Sequence, residues 1–143
     1  MKHMHCLFCH AIKEEQILIE TENFKVVLDI DPIQIGHLLI ISKAHKMHMN
    51  ELTNNEVVEL FELQKGILAV LQSTFSIHSA SIIQNNGPII DEGTHLHIHI
   101  VPRYEEDDFW ENQRVVEHPL SIDSLKASLQ LLNHQESTRF NLT

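Results

Sequence analysis

Three histidines alternate with aliphatic residues in His95-Leu96-His97-Ile98-His99-Ile100, and Val101-Pro102-Arg103 follow. Imidazole changes charge near neutral pH, so such a row can supply a nucleophile, an acid–base group or metal ligands. Strand side chains alternate faces with period two. A strand over residues 95–101 therefore puts all three imidazoles on one face and Leu96, Ile98 and Ile100 on the other, with Pro102 stopping it. A helix would scatter the imidazoles around its axis. Histidine is not a favoured strand residue, and Thr or Lys would solvate an outer face as well, so strict alternation points to a functional cluster. The second group with chemistry is Cys6 and Cys9, separated by Leu7-Phe8. Such a pair is half a tetrahedral zinc site and needs two ligands from elsewhere, with two reduced thiols as the alternative. His5, His10 and His48 are competing donors by proximity in sequence.

The elements that must position these groups can be read from pattern. Ile17 to Glu20 is a short strand candidate, Thr21-Glu22-Asn23 a turn, and Phe24 to Leu28 a strand ended by Asp29-Ile30-Asp31-Pro32. Ile33 to Gly36 lead into the apolar strand His37 to Ile41, closed by Ser42-Lys43-Ala44-His45. Thr53-Asn54-Asn55-Glu56 is a capping box. Val57, Leu60, Phe61, Leu68 and Leu71 then recur at helical spacing, predicting a helix from about Asn54 to Gln72 with a core-facing stripe. Ser79 to Gln84 is the next strand, and Asn85-Asn86-Gly87-Pro88 a loop. After Arg103 the chain turns acidic, meets Phe109 and Trp110, and reads as a second amphipathic helix over Ser121 to Leu132. The expected fold is α+β, a five-stranded antiparallel sheet with a long helix and a C-terminal helix, in one domain over 1–143.

The chain has 143 residues, with 20 Asp and Glu against 10 Lys and Arg, a formal net charge of −10. That balance opposes nonspecific binding to nucleic acid or an anionic membrane. A small phosphorylated ligand stays compatible with it, because one local cluster or a metal can reverse the field in a pocket. No apolar run has the length of a membrane span, and the N-terminus lacks the apolar core of a signal peptide, so a cytoplasmic protein is expected. Among the 12 histidines, His3, His118 and His134 have no patterned neighbours and read as surface residues.

With these pieces in place, the chain resembles the histidine triad nucleotide-binding and hydrolase family over about residues 6–104. The resemblance rests on His95-x-His97-x-His99, with Asp29-x-x-Pro32, Gly36-His37, Lys43-x-His45, Asn85-Asn86-Gly87 and Pro102-Arg103 in similar places. It implies that His97 attacks the α-phosphate of a nucleotide and that His99 contacts the phosphate or leaving group. It further implies that Asp29, with its neighbour Ile30, holds the ribose, that His37 supports the triad and that Asn85 contacts phosphate. Each of these has a plainer reading: Asp29 as a turn cap, His37 as a core histidine, Asn85 as a turn residue. Members with an N-terminal Cys-x-x-Cys bind zinc, which would place the metal on Cys6, Cys9, His45 and His95 as a structural centre. A homodimer is also implied.

The departure from the family lies just before the triad, where Gly-Gln, a hydroxyl and an aliphatic residue are usual. Here the stretch is Ile89-Ile90-Asp91-Glu92-Gly93-Thr94. Gly93 and Thr94 then have to supply phosphate contacts from a remodelled loop, or the substrate differs. The expected activity is hydrolysis of a nucleotide phosphoramidate or dinucleoside polyphosphate through a nucleotidyl-His97 intermediate. Its rivals are nucleotidyl transfer to another acceptor, a nucleotide-binding module with little turnover, and zinc storage. Residues 105–143 fall outside the resemblance, with Trp110 as a candidate contact on the leaving-group side.

Overall fold

The computed structural model describes residues 5–139, with side chains described through residue 132. His3, and the side chain of His134, lie outside what is described. The chain forms two compact units, Met1–Asp107 and Asp108–Thr143. The first contains α1 (Leu7–His10), β1 (Ile19–Glu20), β2 (Phe24–Leu28), β3 (Leu38–Ser42), α2 (Asn54–Phe75), β4 (Ser79–Gln84) and β5 (His97–Arg103); the second contains α3 (Ile122–Arg139). The five strands form one antiparallel sheet in the order β1-β2-β3-β5-β4. No helix among the described residues is long and apolar enough to cross a membrane.

The sheet is apolar on both faces, and this decides where the histidines can go. On one face Phe24, Val26, Ile40, Ile98 and Ile100 pack against Leu60, Ile67 and Leu71 of α2. On the other, Val27, Leu39 and Ile41 are covered by Phe8, Ile12 and Ile17 from the N-terminal segment. The register pairs Ile41 with His97 and Leu39 with His99. The period-two alternation of β5 thus places these two imidazoles on the face that the N-terminal segment covers.

The predicted capping box at α2 forms: the Thr53 hydroxyl accepts from the Glu56 amide at 3.2 Å, and the Glu56 carboxylate accepts from the Thr53 amide at 3.0 Å. The helix runs past the expected Gln72 to Phe75, because no Gly or Pro stops it. It ends where Ser76 takes the left-handed conformation at φ 55°. Its buried stripe is Leu60, Gln64, Ile67 and Leu71, whereas Phe61, expected in the core, is 55% exposed. Phe61 is the residue after Leu60, about 100° round the axis, and the sheet meets only one stripe.

Two expectations for the histidine strand need correction. The strand begins at His97, so His95 precedes it. Pro102 does not end the strand, which continues to Arg103 with Pro102 opposite Ala80. Past Ile100 the strand pairs with β4 alone. One side of it needs no donor there, and proline is tolerated.

Candidate active site and metal centre

The β2–β3 connection brings the first site residue into place. Asp29 closes β2, and its amide donates to the His37 carbonyl at 2.9 Å. Its Oδ1 accepts from the Asp31 amide at 2.8 Å, capping the turn, while Oδ2 lies 3.4 Å from His37 Nε2. The turn-cap reading of Asp29 holds on Oδ1, while Oδ2 faces the buried His37. His37 is buried, and its Nδ1 accepts from the Ile33 amide at 3.3 Å. A neutral imidazole whose Nδ1 accepts must carry its proton on Nε2. That proton points at His99 Nδ1, 2.9 Å away. His99 Nδ1 is consequently an acceptor, and its own proton sits on Nε2.

The same reasoning fixes the other two imidazoles. His97 Nδ1 lies 2.6 Å from the His95 carbonyl oxygen, which can only accept. His97 thus donates from Nδ1 and keeps a free lone pair on Nε2. His95 Nε2 lies 2.6 Å from the Ser42 carbonyl oxygen, so His95 keeps its lone pair on Nδ1. Three alternate residues of one sequence pattern carry three distinct roles: a lone pair on Nδ1 of His95, a lone pair on Nε2 of His97 and an N–H on Nε2 of His99. The backbone carbonyls that set them are invisible to sequence reading.

Burial holds the His99 pKa down to about 4, helped by the His97 and His37 imidazoles and opposed by the Asp29 and Asp91 carboxylates. Burial likewise lowers His37, against the pull of Asp29. In the unfolded chain both would titrate near 6.5. Between about 6.5 and 4 the unfolded chain binds protons that the folded site refuses, so lowering the pH through that window favours unfolding. The contribution is full above about 6.5 and is lost as pH falls toward 4. Urea midpoints measured from pH 7.5 to 4.5 should fall, and His99→Gln should flatten that fall.

His97 and His99, with ring centroids 4.7 Å apart, line a cavity of about 350 Å³ shared with Phe8, Ile12, Val27, Leu39, Asp29, Ile30, Asp91 and Thr94 among others. Its size falls in the range of small-ligand sites, and its walls are mainly apolar with few polar groups, as such sites require. Phe8 stands edge-on to both His97 and His95, at 5.0 and 5.7 Å between ring centroids. The N-terminal wall was not foreseen, because Phe8 read only as spacing between two cysteines. Of the expected site residues, Asp29, Ile30, Thr94, His97 and His99 line the cavity, and His37 stands behind His99. Asn85 and Gly93 are not among the lining residues. Gly93 instead takes φ +80°, and its carbonyl accepts from the Leu7 amide at 2.7 Å, tying the pre-triad loop to α1. Trp110 belongs to the second unit.

The metal candidates converge. The donor atoms of Cys6, Cys9, His45 and His95 all lie within 4.8 Å of one another. His95 Nδ1 is 3.2 Å from Cys6 Sγ and 3.5 Å from Cys9 Sγ, and His45 Nδ1 is 3.4 Å from Cys9 Sγ. Zinc–sulfur bonds of about 2.3 Å and zinc–nitrogen bonds of about 2.0–2.1 Å make the edge of a zinc tetrahedron roughly 3.5 Å. The donor set therefore fits zinc in both chemistry and spacing. The Ser42 carbonyl that orients His95 is the kind of partner that fixes the tautomer of a ligating imidazole. Burial and the Cys6 thiol beside it raise the Cys9 pKa, while Lys25 opposes this. A dication would reverse that preference. His5, His10 and His48 are not in the group.

The HIT domain family model matches residues 11–106, and the chain belongs to that family. It is 30% identical over 128 residues to an adenosine 5′-monophosphoramidase of Schizosaccharomyces pombe, covering 87% of this chain and 92% of the relative. It is 28% identical over 123 residues to an asymmetrical bis(5′-nucleosyl)-tetraphosphatase of the same yeast, covering 84% and 66%. Among solved structures, a zinc-bound histidine triad family protein of Mycobacterium smegmatis superposes with a TM-score of 0.62 at 27% identity, covering 94% of this chain and 99% of that one.

Proposed function

We propose that the protein hydrolyses nucleotides with a P–N or phosphoanhydride bond at the α-phosphorus, through a nucleotidyl intermediate on His97. The observation that carries the reading is the His97 Nδ1–H bond to the His95 carbonyl, which leaves Nε2 as a free nucleophile in an apolar cavity. Neutral imidazole is a competent nucleophile toward phosphorus, and its adduct is readily hydrolysed. His97 Nε2 attacks the phosphorus and the bond to the leaving group breaks, the His99 Nε2–H donating a hydrogen bond to the departing nitrogen or oxygen, which takes its proton from solvent water. Water then attacks the same phosphorus and loses a proton to solvent, and the P–N bond to His97 breaks, returning His97 as a neutral imidazole with its proton on Nδ1. Asp29 holds the ribose in this reading, and the apolar walls hold the base.

Cys6, Cys9, His45 and His95 would hold a structural zinc ion, which when bound supplies rigidity to the start of β5. In the same reading His37 is a positioning residue, because its Nε2–H fixes the tautomer of His99. His37→Phe keeps the volume and removes that donor. It should lower kcat about 10- to 100-fold with KM little changed, as steady-state kinetics would read.

The reaction stereochemistry tests the double displacement. Two in-line displacements retain configuration at an isotopically chiral phosphorus, and one inverts it. Retention is the expected outcome, and inversion would mean that water attacks directly without a His97 adduct.

A further inference from the structure

Among the described residues, the cavity that holds His97 and His99 is lined by two carboxylates, Asp29 and Asp91, and by no Lys or Arg. This is unusual for a pocket that must take a phosphorylated ligand, since anions are ordinarily met by cationic side chains. The two carboxylates are not equivalent. Asp29 has near neighbours, its Oδ1 accepting from the Asp31 amide and its Oδ2 lying 3.4 Å from His37 Nε2. Among the described residues no hydrogen-bond donor or cation pairs with the Asp91 side chain; the two bonds made at this residue use its carbonyl, which accepts from the Thr94 amide at 3.1 Å and the Thr94 hydroxyl at 2.7 Å. Its charge nevertheless reaches His99, whose pKa it pulls upward. Asp91 therefore presents an uncompensated negative charge beside the imidazole that faces the leaving group.

We infer that Asp91 is a specificity-determining residue that selects leaving groups by the sign of their charge. It favours a leaving amine that carries an ammonium group and disfavours an anionic or polyphosphate leaving group. The inference rests on the His97–His99 reading of the reaction, and it deepens that reading by naming the leaving-group class. A departing amine leaves neutral and takes a further proton from water to become an ammonium ion, and an ammonium elsewhere on the leaving group carries its charge throughout; a carboxylate within reach stabilises either. A pyrophosphate-like leaving group meets, among the described lining residues, no Lys or Arg and one unpaired carboxylate. The net charge of −10 adds to the bias through the field of the whole chain.

The test uses two adenosine 5′-phosphoramidates with leaving groups of equal length, 1,4-diaminobutane with a distal ammonium and 4-aminobutanoate with a distal carboxylate. For the wild type, kcat/KM should favour the ammonium substrate by about tenfold or more at low salt, mainly through KM, and less at high salt. Asp91→Asn should bring the ratio to within about twofold, Asp91→Glu should keep it, and Asp91→Lys should reverse it. Calorimetric binding of the same pair to His97→Asn, with and without Asp91→Asn, gives a readout free of turnover. Turnover of both substrates without preference, or a preference that survives Asp91→Asn, overturns the inference and leaves the reaction reading standing. An absence of turnover with an Asp91-dependent binding preference supports the inference and defeats the reaction reading. Neither turnover nor preference defeats both.

Discussion

Replacing His97 with alanine is expected to lower kcat for an adenosine phosphoramidate by on the order of 10⁴-fold or more, while AMP still binds within a few-fold of wild type. The size follows from the role. Removing a nucleophile removes the covalent path, leaving only whatever the site does for direct attack by water. Binding should survive because Phe8, Ile12, Val27, Leu39 and Asp29 line the cavity beside the nucleophile and, in the proposed reading, hold the base and ribose. His97 packs edge-on to Phe8 at 5.0 Å, so a second variant, His97→Asn, keeps more of the contact and guards against a collapsed pocket. Equal loss of AMP affinity in both variants would make His97 a binding residue. Unchanged turnover in both would remove it from the chemistry.

The second large effect is expected on stability. Stripping the metal with a strong chelator, or introducing Cys9→Ser, should lower the melting temperature by about 10 °C or more. A ligand present at a thousandfold its Kd stabilises by about 4 kcal/mol, and for a chain of this size each kcal/mol is worth several degrees. The structure says where the loss would be felt. Cys6 caps the start of α1 and Cys9 lies within it, on the segment that covers the second face of the sheet, tied to the chain by the Leu7–Gly93 bond and by Lys25, whose ammonium donates to the Phe8 carbonyl at 3.1 Å. Releasing the cysteines frees Phe8 from His95 and His97, so KM should rise along with the loss of stability. Melting curves with and without chelator, beside metal content by mass spectrometry, check this. A chelated protein that melts within about 2 °C of the untreated one would show that the four donors hold no structural metal.

Much of this arrangement could be read before any coordinates. The strands Phe24–Leu28 and Ser79–Gln84 were legible because turn residues bound them on both sides. The α2 start was legible from its capping box. The four metal candidates were named from the resemblance, and the fold brings them together. What stayed hidden depends on contacts between distant residues or on backbone atoms. Nothing in Leu7-Phe8 announces a cavity wall, because the apolar surface that Phe8 covers comes from β2 and β3. Both of those strands are buried on two faces, so neither shows the alternation that would reveal a second layer. The roles of the three imidazoles depend on the carbonyls of Ser42 and His95 and the amide of Ile33, which every sequence possesses. Asp91 was legible as a departure from the family pattern, and its proposed role needed the cavity lining, where no Lys or Arg among the described residues answers it.

The central claim is that His97 carries the nucleotidyl group. Its most direct test is a mass spectrum of the wild-type protein quenched within milliseconds of mixing with an adenosine phosphoramidate, with brief acid exposure to spare the P–N bond. The account predicts a transient species heavier by one adenylyl group, mapped by fragmentation to His97 and missing from His97→Ala. Rapid AMP release with no adduct at any quench time, together with inversion at phosphorus, would contradict it.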